Sequence, residues 1–130
     1  MGARETEAHR EGRARAHEVR AVVIAGGPLP AVVLMALHRL LRLGVYEVRR
    51  RVARGQPLVD VVLFRKDQRE VGEVLSAVLD LLAPYPHRVH QCPGDAPPAE
   101  GNRYAPATLR RVIAQAADGR RRPVILRVEG

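Results

Sequence analysis

The spacing of hydrophobic residues along the chain predicts an order of strands and helices. Short runs rich in β-branched residues predict strands over 19–25, 58–65, 87–92 and 123–128. Apolar residues three and four positions apart predict helices over 30–42, 45–54, 68–83 and 105–117. The order is β-α-α-β-α-β, followed by a loop, a helix and a strand. It indicates an α+β fold with helices on one face of a small sheet.

The first predicted helix is apolar around most of its circumference. Ala31, Val32 and Ala36 lie outside its main apolar stripe and extend the apolar surface. We therefore expect this helix to be deeply buried. Gly44 interrupts the pattern after it, at a corner where a residue with few backbone restrictions is expected.

The second predicted helix separates apolar from charged residues. Its inner stripe consists of Val45, Val48 and Val52. The opposite side carries Glu47, Arg50, Arg51 and Arg54. Arg51 follows Glu47 by four positions, which is the spacing of a helical ion pair. Gly55 and Pro57 are typical of the end of a helix.

The strand predicted over 58–65 is almost continuously apolar. Such a strand is expected at the centre of a sheet or covered on both faces. Asp60 is its one acidic residue, and if buried it would need a partner such as an arginine. Asp67 is expected to cap the third helix, with Glu70 three positions later.

The 130 residues fit one domain with a short tail. Residues 1–18 carry no apolar stripe, and their arginines and glutamates balance, so a flexible charged tail is expected. Residues 19–92 form the predicted core, 93–104 a loop rich in Pro and Gly, and 105–130 a helix-strand extension that packs on the same domain.

Composition excludes several classes of site. Three tyrosines, one phenylalanine and no tryptophan are too few for a platform that stacks nucleic-acid bases. Cys92 is the only cysteine, which excludes an internal disulfide. The longest apolar run, 31–37, is far shorter than the roughly 20 residues that span a bilayer. We expect a cytoplasmic chain with no signal peptide and no membrane segment.

Two short motifs resemble ligand sites but fit them poorly. On a strand, His87 and His90 would face opposite ways, leaving His90 and Cys92 as two ligands where structural zinc needs four. Gly26 and Gly27 follow a strand but lack a phosphate-loop pattern, and the neighbouring prolines remove N–H donors. We therefore predict a tight turn, no metal and no cofactor.

The chain has 22 Lys+Arg against 14 Asp+Glu and a formal net charge of +8. Because the tail is neutral, the excess lies in the remainder of the chain. It is densest in the second helix, at Arg49, Arg50, Arg51 and Arg54, and in the run Arg120, Arg121 and Arg122. Each cluster is either an anion-binding surface or a solvated face, and the two would form one basic surface if they lay close together.

Segment 19–92 resembles the C-terminal domain of the bacterial ribosomal stalk protein. The resemblance is carried by the turn at 26–28, the apolar first helix, the junction Leu43-Gly44-Val45-Tyr46-Glu47 and Val52. It implies three helices on one face of a small antiparallel sheet. It also implies that the first two helices dock translational GTPases. The corresponding positions hold Pro30, Met35, His38, Tyr46 and Arg49, of which Arg49 keeps the positive charge.

The sequence thus favours a non-enzymatic module that binds a protein partner through the first two helices. The residues expected to make contact are His38, Tyr46, Arg49, Arg50 and Arg54. A basic protein that binds nucleic acid or the ribosome in translation is the alternative, with Arg120, Arg121 and Arg122 as further anion contacts. An enzyme would need Asp60 or a histidine in a pocket. The sequence identifies neither the partner nor the oligomeric state.

Overall fold

The computed structural model describes residues 18–63 and 68–118, which form an α+β fold. Its strands are β1 (Val19–Ala25), β2 (Pro57–Val62), β3 (His87–Pro93) and β4 (Arg103–Tyr104). Its α-helices are α1 (Ala31–Leu41), α2 (Val45–Arg54), α3 (Gln68–Leu82) and α4 (Pro106–Asp118), and a 3-10 turn covers Glu100–Asn102. The predicted order is confirmed from β1 to α4, except that the segment predicted as a loop contains the 3-10 turn and β4. The strand expected at 123–128 and the cap expected at Asp67 lie outside the described residues.

The four strands form one antiparallel sheet in the order β2-β1-β3-β4. The expected central position of the strand after α2 is wrong, because β2 lies at the edge of this sheet. The strand with the most complete burial is instead β1, in which every residue from Ala21 to Ala25 is buried. The outward side of β2 carries the exposed Asp60.

Alternate residues of β1 belong to two separate apolar clusters. Ala21, Val23 and Ala25 face the helices and join a core that includes Leu37, Leu75, Leu79, Leu82 and Leu109. Val22 and Ile24 face the other way and pack with Cys92 of β3. The helices therefore lie on one face of the sheet, as predicted. Within the described ranges, no helix is long and apolar enough to cross a membrane.

The second face of the sheet is lined by residues 94–102, which we call the strap. Arg20 of β1 donates hydrogen bonds from Nη1 to the carbonyl oxygens of Gly94 and Ala96. Gly94 in turn donates its N–H to the Glu18 carbonyl, at 2.9 Å. A segment expected to be only a loop is therefore fastened to the sheet, and it leads into the short strand β4.

The corner between α1 and α2 differs in detail from the prediction. Gly44 has an ordinary extended conformation, with φ −62° and ψ 151°. The left-handed residue is Arg42, the C-cap of α1, with φ 58°. The expected reason for a glycine at position 44 is therefore wrong, because Arg42 makes the sharp change of direction. Gly55 does end α2 in the left-handed conformation, as predicted, with φ 63°.

Candidate interaction surface on the first two helices

The outward side of α1 is apolar and exposed. Of its residues only Val33 and Leu37 are buried, whereas Val32 is 74% exposed and Met35 is 37% exposed. The expectation that α1 is deeply buried is therefore wrong. The helix packs against α2 and α3 and contributes to the core, but no described element covers its outward side.

The outward side of α2 brings together four of the five predicted contact residues. Tyr46, Arg49, Arg50 and Arg54 recur at helical spacing, and all are exposed. The Tyr46 side chain is the most exposed of the large apolar ones, at 81%. We call the outward residues Val32, Met35, Tyr46, Arg49 and Arg54 the α1/α2 face.

The arginines of α2 differ in how far they are already neutralised. Glu47 accepts from Arg50 Nη2 at 2.6 Å and from Arg51 Nε at 2.8 Å, so the predicted pair between positions 47 and 51 is confirmed. These contacts, with Arg50 foremost, lower the pKa of Glu47, and the same hydrogen bond raises the pKa of Arg50. Arg49 and Arg54 form no ion pair within the described part of the chain. They are therefore the free positive charges of α2.

His38, the fifth predicted contact residue, lies in the last turn of α1. Its ring is half-buried, and Nδ1 donates a hydrogen bond to the Leu43 carbonyl oxygen just beyond α1. The histidine therefore fastens the corner between the two helices.

A groove of about 570 Å³ runs beside α2. Leu34 of α1, Arg49 and Val52 of α2 and residues 26–28 line it. Arg88 of β3 also lines this groove. Sequence reasoning missed Arg88, because nothing in the local pattern of β3 shows that it lies near the end of α2.

Gly26, at the start of the segment predicted to be a tight turn, lies close to Pro86. Gly26 donates its N–H to the Pro86 carbonyl oxygen at 2.8 Å. A Cβ atom on Gly26 would lie only 3.1 Å from the Pro86 backbone. A side chain at position 26 would therefore require the Pro86 backbone to move by a few tenths of an ångström.

Asp60 is exposed, so the condition under which it would need a partner is not met, but it does pair with an arginine. Its carboxylate accepts from Arg20 Nε at 2.9 Å and from Arg20 Nη2 at 3.0 Å. The hydrogen bond to Asp60 raises the pKa of Arg20, although burial of the guanidinium acts in the opposite direction. The carboxylate is 42% exposed, so Asp60 is a surface ion-pair residue that also orients Arg20.

The histidines and the cysteine of β3 do not form a metal site. His87 donates to the Tyr85 carbonyl, on the opposite sheet face from His90 and Cys92. Among the residues that the structure describes, no three His, Cys, Asp or Glu side chains are placed to hold a metal ion. Burial raises the pKa of the Cys92 thiol. Arg120, Arg121 and Arg122 lie outside the described residues.

Comparisons of the chain with protein-family models, curated proteins and solved structures found no match. The candidate site is thus identified from the structure alone, and it is the α1/α2 face. It combines exposed apolar side chains with Arg49 and Arg54, which pair with no acidic residue that the structure describes.

Proposed function

We propose that this chain is a non-enzymatic interaction module that binds an acidic protein segment through the α1/α2 face. The observation that carries the proposal is the 81% exposure of Tyr46 on the same helix as Arg49 and Arg54, which form no ion pair within residues 18–63 and 68–118. Tyrosine and arginine are the residue types that contribute most to binding energy at protein interfaces. Val32 and Met35 add apolar area that a partner would cover.

The charge of this surface favours an acidic partner. Helix α1 contains no acidic residue, and the one acid of α2, Glu47, is already paired with two arginines. An acidic segment would be steered towards Arg49 and Arg54, while an apolar side chain of the partner packs on Tyr46. The groove beside α2 could receive a second apolar side chain. The resemblance to the ribosomal stalk domain makes a translation factor the most economical choice of partner.

Nucleic acid is the second candidate, and the formal charge of +8 favours it. Contacts to a phosphate backbone depend chiefly on positive charge and weaken steeply with salt. They would leave the apolar side chains of Val32 and Met35 unused. We therefore rank protein binding first and treat nucleic acid as an outcome of the test.

The test is affinity capture from cells that contain this protein, with and without nuclease treatment. The double variant Arg49→Glu/Arg54→Glu reverses the free charges of α2. The matched control Arg69→Glu/Arg111→Glu makes the same change in net charge at exposed positions on α3 and α4. We expect a nuclease-resistant protein that the first variant loses and the control retains. Loss of all partners on nuclease treatment supports nucleic acid, and equal capture by both variants contradicts the proposed surface.

A further inference from the structure

The groove beside α2 is apolar apart from two arginines. Every described residue that lines it, other than Arg49 and Arg88, is an alanine, glycine, proline, leucine or valine. Its volume of about 570 Å³ falls within the range of roughly 300–1,000 Å³ that is typical of sites for small molecules. Such sites are mostly apolar, and a few polar groups fix the orientation of the ligand. The size and composition of the groove therefore fit a small, largely apolar molecule.

Arg88 reaches this groove because of the strand register. Ile24 of β1 lies opposite Arg88 of β3 on one side and opposite Pro57 of β2 on the other. Gly55 ends α2 two positions before Pro57, so the register brings Arg88 to the end of α2. Both Gly55 and Arg88 line the groove. The sheet thus supplies one of the two cationic side chains of the groove.

Arg49 reaches the groove from α2. It precedes Val52 and Ala53 by three and four positions, which is the spacing of side chains on one side of a helix. All three residues line the groove. Leu34 of α1 also lines it, and the side chains of Leu34 and Val52 are only half-buried. The second arginine thus shares the groove with apolar side chains that the described protein leaves partly uncovered.

The described protein does not neutralise these two charges. Arg49 and Arg88 form no ion pair within residues 18–63 and 68–118, and none of the described residues that line the groove is acidic. A carboxylate accepts charge-assisted hydrogen bonds from guanidinium groups, and these are stronger than hydrogen bonds between neutral groups. A neutral molecule would forgo them, and a cation would be repelled. The charge of the groove therefore favours an anion, and its apolar residues favour an apolar body attached to that anion.

We propose that this groove binds a small organic carboxylate with an apolar body. The body would pack against Leu34 and Val52, and the carboxylate would accept hydrogen bonds from the arginine side chains that line the groove. This site goes beyond the proposed docking of a protein on the α1/α2 face and shares only Arg49 with that face. An apolar side chain of a protein partner is the competing occupant, but it would leave Arg88 without an anionic partner.

The probe is 3-phenylpropionate, and 3-phenylpropionamide is its neutral match. The two molecules share the ring and the chain and differ in charge, so their comparison isolates the contribution of the carboxylate. For ligands this small we expect a dissociation constant on the order of 1 mM for the carboxylate. The amide should bind about tenfold more weakly, the effect of one charge-assisted hydrogen bond. In NMR titrations of the full chain, the backbone amide signals of Gly27 and Gly55 should shift, because both residues line the groove.

Two pairs of variants test the charge and the shape of the groove. Arg88→Gln should weaken binding of the carboxylate about tenfold and leave binding of the amide unchanged, whereas Arg111→Gln, at an exposed position on α4, should change neither. Ala53→Trp fills the groove and should abolish binding of both ligands, whereas Ala107→Trp places the same side chain at an exposed position on α4 and should not. Thermal unfolding checks that each variant folds, and Arg88→Gln tests the site even if Ala53→Trp does not fold.

Each other occupant of the groove gives a different result. Equal binding of the carboxylate and the amide would leave an apolar contact for a protein side chain and overturns the proposal. A dimer that Ala53→Trp disrupts in analytical ultracentrifugation and Ala107→Trp retains would assign the groove to a second copy and overturns it as well. So does an affinity for the carboxylate that is equal in the wild type and Arg88→Gln, or no binding at all. These results do not test the α1/α2 face, because Tyr46 and Arg54 do not line the groove.

Discussion

Gly26 and Gly27 are adjacent in the sequence but meet different surroundings. A Cβ atom on Gly26 would lie 3.1 Å from the backbone of Pro86, whereas one on Gly27 would meet nothing within 4 Å. Neither has a left-handed conformation among the described backbone angles. The two glycines therefore differ in the space around them, and the stability of their alanine variants measures this difference.

We expect Gly26→Ala to destabilise the fold by about 1–3 kcal/mol, because the backbone of Pro86 must move to admit a methyl group. Gly27→Ala should change the free energy of unfolding by no more than about 0.5 kcal/mol. Denaturant unfolding of both variants checks this. Equal destabilisation by the two would show that the turn does not approach Pro86 closely.

At this scale the sequence was a better guide to where the chain turns than to which residue makes the turn. The interruption at Gly44 correctly indicated a corner between two helices. The left-handed conformation belongs to Arg42, however, and nothing in an arginine signals that conformation. The sequence predicted a partner for Asp60 only if it were buried, and it is exposed; its partner Arg20 lies 40 positions away and is brought to it by strand pairing.

Arg20 connects two elements that the sequence alone did not join. Its guanidinium binds Asp60 of β2 and also donates to two carbonyl oxygens of the strap. The side chain is 16% exposed, whereas that of Asp60 is 42% exposed. The contacts to the strap should therefore outweigh the ion pair, which solvent screens.

Replacement of Arg20 should lower the free energy of unfolding more than replacement of Asp60. Arg20→Ala leaves the Gly94 and Ala96 carbonyls without this donor and should cost about 2–3 kcal/mol of stability. Asp60→Asn removes only the screened ion pair and should cost about 1 kcal/mol or less. Chemical denaturation gives both values. A larger loss for Asp60→Asn would mean that the ion pair, and not the strap, is the main role of Arg20.

Helix α2 should lose stability in acid through Glu47. The hydrogen bonds from Arg50 and Arg51 lower the pKa of Glu47 in the folded chain below its ordinary value of 4.5. Such a group stabilises the fold above that value and loses its contribution as the pH falls through the lower, folded pKa. We expect Glu47→Gln to be less stable than the wild type at pH 7 and to converge with it in acid, as judged by thermal unfolding. A difference in stability between the two proteins that stays constant from pH 7 into acid would contradict the ion pairs of Glu47 with Arg50 and Arg51.

The elements themselves were largely predictable because their signals are local. Apolar spacing set the bounds of α2, and Gly55 marked its end. Strand β4 was not predictable, since its two residues pair with β3 only because the strap carries them there. The edge position of β2 was missed for a similar reason: an apolar strand does not reveal which neighbours it will have.

At the scale of the whole molecule, the main surprise is the apolar side of α1. Its sequence predicts burial all round, and the structure leaves Val32 74% exposed. The spacing of apolar residues shows which faces of a helix are apolar. It does not show whether other helices or a sheet will pack on each of those faces. Here one helical layer on the sheet leaves the apolar side chains of Val32 and Met35 exposed.

A basic face should also make binding sensitive to salt. Arg49 and Arg54 lie at the surface and are screened beyond about 8 Å at physiological ionic strength. We expect the affinity for an acidic partner to fall as salt is raised, mainly through a slower association rate. Stopped-flow measurements at two ionic strengths check this, and an association rate independent of salt would contradict a charge-steered encounter.

The most direct test of the central claim is the affinity of the purified, nuclease-resistant partner for the Tyr46→Ala variant. Tyr46 is 81% exposed, so this change should leave the free energy of unfolding within about 0.5 kcal/mol of the wild type. If the α1/α2 face is the binding surface, affinity should fall at least about tenfold, while Arg111→Ala binds as the wild type does. Unchanged affinity of the Tyr46→Ala variant would contradict the account.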